Sequence, residues 1–283
     1  MTKTGEMTKK LVQSLVVLAI LVVVRSPALT DDTDDIKESQ KSAKINALLD
    51  KSSGEFRFGM VAGREASIHP IPVHRWTNDV RDSHSIGLLG IAIDHGKPIA
   101  TVATYIWSGK LMHELDSLSR KTFFATQGQA TIWEVKQNLT FVPIPSAPAV
   151  EPTESGRLRQ MKHLASQFSV TMLGWRLNQS DMEPLRLLPR ELFRYKPETD
   201  DCVDGALFVF ALGTDPEAIL AIEANKEGEQ TQWQFALIRQ TSAGLEAKHK
   251  GKEVWKAAPH SSRSDRNALG QTIESTINID FER

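Results

Sequence analysis

The sequence has 283 residues, of which 40% are hydrophobic, 7% aromatic and 24% charged, and its formal net charge is -1. These values are typical of a globular protein and exclude collagen-like, coiled-coil and wholly disordered chains. The near-zero charge and the pI of about 6.7 also give no electrostatic indication of nucleic-acid binding.

The N-terminus resembles an export signal. Lys3, Lys9 and Lys10 precede an apolar run at residues 11–24, which is shorter than a comfortable membrane span. Ser26 and Ala28 are small residues suited to cleavage after Ala28. Because Arg25 directly after the apolar run is unusual for a cleaved signal, an uncleaved anchor is the alternative. We therefore expect residues 1–28 to be a signal peptide or an N-terminal anchor, and the protein to be exported to the periplasm, cell envelope or medium.

The first half of the remaining chain is predicted to be a helix followed by strands. Residues 29–55 form an acidic tether and a helix over residues 34–49, where apolar residues recur at helical spacing. Residues 56–140 follow as a β-meander, with strands predicted at 87–93, 99–107, 111–118 and 131–135. Short turns such as Asp94-His-Gly-Lys97 require neighbouring strands to be antiparallel.

The second half repeats this order. A proline-rich connector over residues 141–153 leads into residues 154–257, which begin with an apolar helical stripe behind a Thr153 start signal. Strands are predicted at 206–212, 218–224, 233–241, 245–249 and 253–255. Residues 258–283 form a polar tail that we expect to be disordered, except for an added strand at residues 272–281.

The two halves also share a weak internal similarity. Residues 68–76 match residues 187–195, which places Pro70 on Pro189, Arg75 on Arg194 and Trp76 on Tyr195. The fold class is therefore predicted as α+β, with two tandem repeats that are each a helix followed by an antiparallel β-meander. Helices would cover one face of each sheet. The pattern leaves open whether the repeats form one curved sheet or two domains.

Several strings also resemble a known group of sequences. They are Arg75-Trp76 before a Gly-led strand, His113-Glu114 with Ser117-Leu-Ser119, Arg157-Leu-Arg-Gln-Met161, Asp204-Gly-Ala-Leu-Phe208 with Gly213-Thr-Asp-Pro-Glu217, and Lys250-Gly-Lys-Glu-Val-Trp255. Over residues 56–257 the chain is similar to a family of uncharacterised exported bacterial proteins. The resemblance implies an envelope location and one continuous module, and it implies no activity, fold or ligand.

No familiar catalytic signature is present, and local clusters give only weak candidates. The chain has no nucleophile elbow, Walker loop, zincin helix or dinucleotide fingerprint. Glu114 and Asp116 share a face of a predicted strand and could act as paired carboxylates or bind a cation. The alternative is that they belong to a polar face in contact with solvent. The single cysteine, Cys202, follows two aspartates, which makes it an inert thiol rather than a nucleophile.

Binding residues are predicted around the two arginine–aromatic pairs. These pairs, Arg75 with Trp76 and Arg194 with Tyr195, could recognise an anion. The planar guanidinium binds a carboxylate or a phosphate through two parallel hydrogen bonds. The alternative is structural, with the aromatic ring closing the core and the arginine pairing with a carboxylate. His113 is a further binding candidate beside Glu114.

The sequence thus favours a non-enzymatic module of the cell envelope that binds a ligand or a protein partner. An envelope hydrolase with paired carboxylates and a structural scaffold subunit are the alternatives. We expect no cofactor, no metal site and no nucleic-acid partner. We expect membrane contact only through the N-terminal segment, and only if that segment is not cleaved.

Overall fold

The computed structural model describes residues 32–61, 65–78, 85–174, 181–197, 201–260 and 269–275. The chain divides into two compact units, residues 1–42 and residues 43–283. The described residues of the first unit are helical and begin at Asp32. The predicted export signal lies outside the described residues. Within the described part of the chain, neither helix has the length and apolar character needed to cross a membrane.

The described residues form two helices and eighteen strands, which are joined by turns and loops. The helices are α1 (Asp32–Ser53) and α2 (Glu154–Ala165). The strands before α2 are β1 (Phe56–Met60), β2 (Pro70–Asn78), β3 (Ser85–Asp94), β4 (Lys97–Trp107), β5 (Lys110–Ser117), β6 (Phe123–Gln127), β7 (Ala130–Val135) and β8 (Val142–Pro143). Those after it are β9 (Phe168–Leu173), β10 (Met182–Pro184), β11 (Arg186–Leu187), β12 (Phe193–Tyr195), β13 (Cys202–Leu212), β14 (Asp215–Glu227), β15 (Gln230–Arg239), β16 (Gly244–His249), β17 (Lys252–Ala257) and β18 (Gly270–Ser275).

These strands form four antiparallel sheets. A five-stranded sheet has the order β18-β5-β4-β3-β2, and a six-stranded sheet has the order β11-β13-β14-β15-β8 with β12 also paired to β13. We call these two the central sheets. The two smaller sheets, which we call the outer sheets, have the orders β1-β6-β7 and β10-β9-β16-β17.

The central sheets pack face to face through one apolar cluster. Leu89 and Ile91 from β3 meet Leu207 and Val209 from β13 in this cluster. The intervening Phe208, on the opposite face of β13, is buried in a different cluster. Because successive side chains of a strand point to opposite faces, a strand with both faces buried is apolar throughout. This explains why β13 and β14 contain almost no polar residues at their centres.

The outer faces of the central sheets are covered mainly by the outer sheets. Phe58 of β1 and Trp133 of β7 pack with Val102 and Leu115 of the five-stranded sheet. The outer face of the six-stranded sheet is covered by α2 together with β9 and β16, and all of them contribute to one cluster. Helix α1 contributes only Ile45 and Leu49 to a smaller cluster with Leu88, Ile106 and Leu111.

The prediction of the α2 helix is confirmed. The Thr153 side chain accepts a hydrogen bond from the Gly156 backbone N–H at 3.1 Å, which caps the first turn. Met161, Leu164 and Ala165, which belong to the predicted apolar stripe, are buried. The strands predicted from alternation and turn residues are present as well, most of them longer by a few residues at one or both ends.

The predicted fold class is wrong. The protein is mostly β-sheet, with only two helices among the described residues, and it is not an α+β fold of two tandem helix-plus-meander repeats. A meander joins each strand to the next one, whereas β1 pairs with β6 and β9 pairs with β16. Hydrophobic periodicity identifies strands but does not show which strands pair, so the separate outer sheets could not be seen in it. Helices also cover little of the sheets. One face of each central sheet packs against the other central sheet, and the opposite face is covered mainly by an outer sheet.

Segments outside the two predicted meanders take part in the central sheets. Val142–Pro143, within the expected extended connector, pairs with β15 as strand β8. Gly270–Ser275 pairs with β5 as strand β18, which overlaps the strand expected in the C-terminal tail. Both additions are the terminal strands of a central sheet, and β8, with two residues, is a very short edge strand.

The tryptophan of β2 requires a glycine on β3. A Cβ atom built on Gly87 would lie 2.1 Å from a ring carbon of Trp76, a side chain that is itself buried. We predict that Gly87→Ala lowers the free energy of unfolding by about 1–3 kcal/mol, because overpacking forces the ring to move. The measurement is chemical denaturation of both proteins. In a Trp76→Leu background the same glycine substitution should cost much less, and an equal cost in both backgrounds would contradict the steric explanation.

Candidate functional site

A buried carboxylate lies where the two central sheets meet. Strand β14 carries Glu223, which is 1% exposed. Its Oε1 accepts a hydrogen bond from the Tyr195 hydroxyl at 2.8 Å, and its Oε2 accepts from Arg120 Nη2 and Asn225 Nδ2, each at 3.0 Å. Lys97 Nζ lies 3.5 Å from Oε1. A buried charge is tolerated only when it is paired and hydrogen-bonded, and these four groups meet that requirement.

Local backbone geometry brings Lys97 to this position. His95 and Gly96 form the two-residue turn between β3 and β4, with φ values of 45° and 78°. Positive φ at both central residues is the geometry of a tight hairpin turn whose twist matches the strands, and it favours glycine. Lys97 is the first residue after this turn, and its side chain is only 13% exposed. Its long stem is therefore largely buried while its ammonium group reaches the carboxylate of the other sheet.

Tyr195 approaches the carboxylate from β12. A Cβ atom on Gly205 would lie 2.5 Å from ring atoms of Tyr195, so the glycine makes room for this ring. Burial raises the pKa of the Tyr195 phenol well above its ordinary value of 10, and the nearby charge of Glu223 raises it further. The hydroxyl therefore stays protonated at neutral pH and serves as a hydrogen-bond donor.

Arg120 is held between the carboxylate and an aromatic ring. Its Nη2 donates to Gln234 Oε1 at 2.9 Å as well as to Glu223, and its guanidinium carbon lies 3.9 Å from the centre of the Phe141 ring. The Nε of the same side chain is buried, and no described residue accepts a hydrogen bond from it. An arginine has five N–H donors, so this one retains the capacity to bind another acceptor.

A small cleft opens beside these groups. It has a volume of about 70 Å³ and is lined by Asp94, His95, Lys97, Arg120 and Lys121, among others. We call it the cationic cleft. The His95 side chain is 78% exposed, so the cleft is open to solvent at the turn. Its lining residues come from the end of β1, the β3–β4 turn and the start of β4, the segment after β5 and the residues that follow β12.

The predicted residues Arg75 and Trp76 contribute to structure at a different place. Trp76 is buried in the cluster between the central sheets. Arg75 is exposed and donates to Asn46 Oδ1 at 3.2 Å and to the Asp50 carboxylate, both on α1. The structural alternative, in which the ring closes the core and the arginine pairs with a carboxylate, describes this pair.

The second pair, Arg194 and Tyr195, is divided between two clusters of polar groups. Arg194 donates from Nε and Nη2 to the two oxygens of Asp204, at 3.0 and 2.7 Å, and Arg157 Nε donates to the same carboxylate at 2.8 Å. Burial alone would raise the pKa of Asp204, but the hydrogen bonds and charges of the two arginines outweigh it and hold the pKa below its usual value. Tyr195 belongs instead to the Glu223 cluster.

His113, Glu114 and Asp116 lie inside the protein. The expectation of a solvent-exposed polar face is wrong, because all residues of β5 after Lys110 are buried. Glu114 accepts a hydrogen bond from Tyr105 at 3.1 Å, and Asp116 accepts one from Gln240 at 2.9 Å. His113 Nε2 lies 2.8 Å from Ser52 Oγ. The structure places each of the three against a neutral partner within the fold.

Sequence reasoning missed Lys97, Arg120, Lys121 and Glu223. Lys97 is the last residue of a predicted turn, and Arg120 and Lys121 follow a predicted strand, where basic residues are common on any soluble protein. Glu223 stands near the end of an apolar run, and a carboxylate in such a run is the one signal that could have indicated a buried charge. Nothing in the sequence brings these separate segments together.

Neither a group of metal ligands nor a similarity to a known protein indicates a function for the described residues. Over the described ranges, no three His, Cys, Asp or Glu side chains form a group that could hold a metal ion. No family model, curated protein or solved structure matches the chain. The resemblance to exported bacterial proteins therefore stays a prediction from the residues quoted for it.

The paired arginines on Asp204 give a stability prediction. We expect Asp204→Asn to lower the free energy of unfolding by about 3–5 kcal/mol, because it leaves two partly buried guanidinium groups without their carboxylate. Chemical denaturation at neutral pH measures this change. Glu246→Gln is the matched control, since Glu246 pairs with Lys248 and Lys256 on the surface and its loss should have little effect. Equal effects of the two substitutions would contradict the prediction.

The buried histidine predicts a pH dependence. Burial lowers the pKa of His113 from 6.5 to about 4, so the unfolded chain takes up a proton at higher pH than the folded protein does. Stability should therefore be unaffected by this group above pH 6.5 and fall as the pH decreases toward 4, by about 3 kcal/mol in total. We predict that His113→Gln reduces the loss of stability between pH 7 and pH 4. His95→Gln, at an exposed position, should retain the full loss, and an unchanged pH profile of His113→Gln would contradict the assignment.

Proposed function

We propose that the protein is a non-enzymatic binding module of the cell envelope that takes a small ligand in the cationic cleft. The observation that carries this proposal is the Arg120 side chain, which lines a solvent-open cleft and whose buried Nε has no acceptor among the described residues. A buried donor without a partner is costly and needs a physical explanation. Among the described residues with such an atom, Arg120 is the one whose side chain lines this cleft.

The surroundings of Glu223 support binding rather than turnover. Both of its oxygens are already engaged by donors, and Tyr195 is held in its protonated form. A general base needs a carboxylate that can reach substrate, and a nucleophile needs a neighbouring base. The hydrolase alternative with Glu114 and Asp116 also receives little support, because both carboxylates are buried and accept hydrogen bonds from Tyr105 and Gln240.

The envelope location in this proposal is supported by the sequence alone. Three lysines followed by the apolar run at residues 11–24 are the pattern of an export signal, and Ser26 and Ala28 suit cleavage after Ala28. A binding module outside the cytoplasm meets its ligand directly in the surrounding medium or at the envelope.

Native mass spectrometry of the protein purified from its own envelope fraction tests this function. We expect a chain that begins at Leu29 and carries a reproducible non-covalent extra mass, which denaturation removes. The Arg120→Lys variant, produced in the same cells, should carry less of this mass because the ammonium group cannot reproduce the planar guanidinium contacts.

Two results would contradict the proposed function. A bare chain in a defined complex with other proteins would favour the scaffold alternative. A catalytic turnover that is lost in Glu114→Gln would favour the hydrolase alternative. Lys252→Gln is the control for both, because Lys252 is exposed at the start of β17 and does not line the cationic cleft.

A further inference from the structure

The charges around the cationic cleft do not balance. Lys97, Arg120 and Lys121 are cationic, whereas Asp94 and the buried Glu223 are the two carboxylates at the site. Three cationic side chains therefore face two carboxylates. Asp94 Oδ1 also lies 2.8 Å from His95 Nδ1, so this carboxylate is directed toward the turn. An excess of positive charge in a partly enclosed cleft attracts anions.

The donors of the cleft match the chemistry of an oxyanion. Arg120 is fixed by Glu223, Gln234 and the face of Phe141, so its guanidinium is oriented before any ligand arrives. An arginine fixed in this way loses little entropy on binding, and its planar N–H groups fit carboxylate and phosphate oxygens. Lys121 is exposed and can supply a second charge at the rim.

The size of the cleft limits what can enter it. Pockets that enclose a whole drug-sized ligand measure about 300–1,000 Å³. The cationic cleft, at about 70 Å³, has room for the head of a ligand and not for its whole body. The rest of such a molecule would lie over the exposed turn at His95.

We infer that the cationic cleft binds the anionic head of a small molecule, a carboxylate or a phosphate, through Arg120 and Lys121. This inference rests on the proposed function and specifies the chemical class of its ligand. Glu223 acts as the positioning residue that orients Arg120, and it does not contact the ligand.

Isothermal titration of the purified protein with inorganic phosphate and, separately, with acetate tests this inference. The titrations are made at low ionic strength in a buffer without other oxyanions. We expect saturable binding of at least one of the two anions at one site per chain. The anion that binds more tightly distinguishes a phosphate head from a carboxylate head.

Three variants assign the binding to this cleft. Arg120→Lys keeps the positive charge beside Glu223, and it should weaken anion binding about tenfold because the planar contacts are lost. Lys121→Gln changes only an exposed side chain and should weaken binding about threefold. Lys252→Gln removes an equivalent exposed charge away from the cleft and should leave the affinity unchanged. Thermal unfolding of each variant shows that the fold is retained.

The outcomes separate this inference from the proposed function. The absence of saturable binding of either anion overturns the inference, as does equal weakening by Lys121→Gln and Lys252→Gln. If the native mass spectrum nevertheless shows a bound neutral molecule that is lost in Arg120→Lys, the binding function stands and only the ligand class is wrong. Anion binding that depends on Arg120 and Lys121 supports the inference even when the purified chain carries no extra mass.

Discussion

The structure depends on how one negative charge is accommodated between two apolar sheets. Glu223 lies at the meeting of the central sheets, where an unpaired carboxylate would cost several kcal/mol. Three groups contact this carboxylate: Lys97 from one sheet, Tyr195 from the other and Arg120 from the segment after β5. The same contacts that satisfy the carboxylate therefore connect the two sheets and fix the arginine that lines the cleft.

The face-to-face packing of the central sheets explains most of the remaining architecture. Because one face of each sheet is buried against the other, only the opposite faces need further cover, and this cover comes from α1, α2 and the outer sheets. The hairpin turns at the sheet boundary then make polar contacts across it. Thr214 of the β13–β14 turn donates to Thr77 O at 2.7 Å, while Lys97 at the β3–β4 turn reaches Glu223. Polar contacts at the turns thus fix the relative orientation of two sheets whose interface is otherwise apolar.

The sequence allowed the second helix and the strands β3–β5, β7 and β13–β17 to be predicted, because alternation, turn glycines and the Thr153 cap are local signals. It gave no range for β1, β2, β6 or the short strands β8–β12. It did not allow the pairing of β1 with β6 or of β9 with β16, which depends on contacts between distant residues. The candidate site was predicted only in part. Tyr195 was identified from its place beside Arg194, whereas Lys97, Arg120 and Glu223 come from three separate segments that only the fold brings together.

The central claim is that Arg120 presents a fixed guanidinium to an anion in the cationic cleft. Anomalous diffraction from crystals of the protein grown with selenate tests it most directly, because selenate is an oxyanion of about the size of phosphate and its selenium can be located without ambiguity. We predict a selenium peak in the cleft, with a selenate oxygen within hydrogen-bond distance of the Arg120 guanidinium. Selenate bound elsewhere on the chain, with no peak in a cleft that is open to solvent in the crystal and no acetate there in a second crystal grown with acetate, would contradict it.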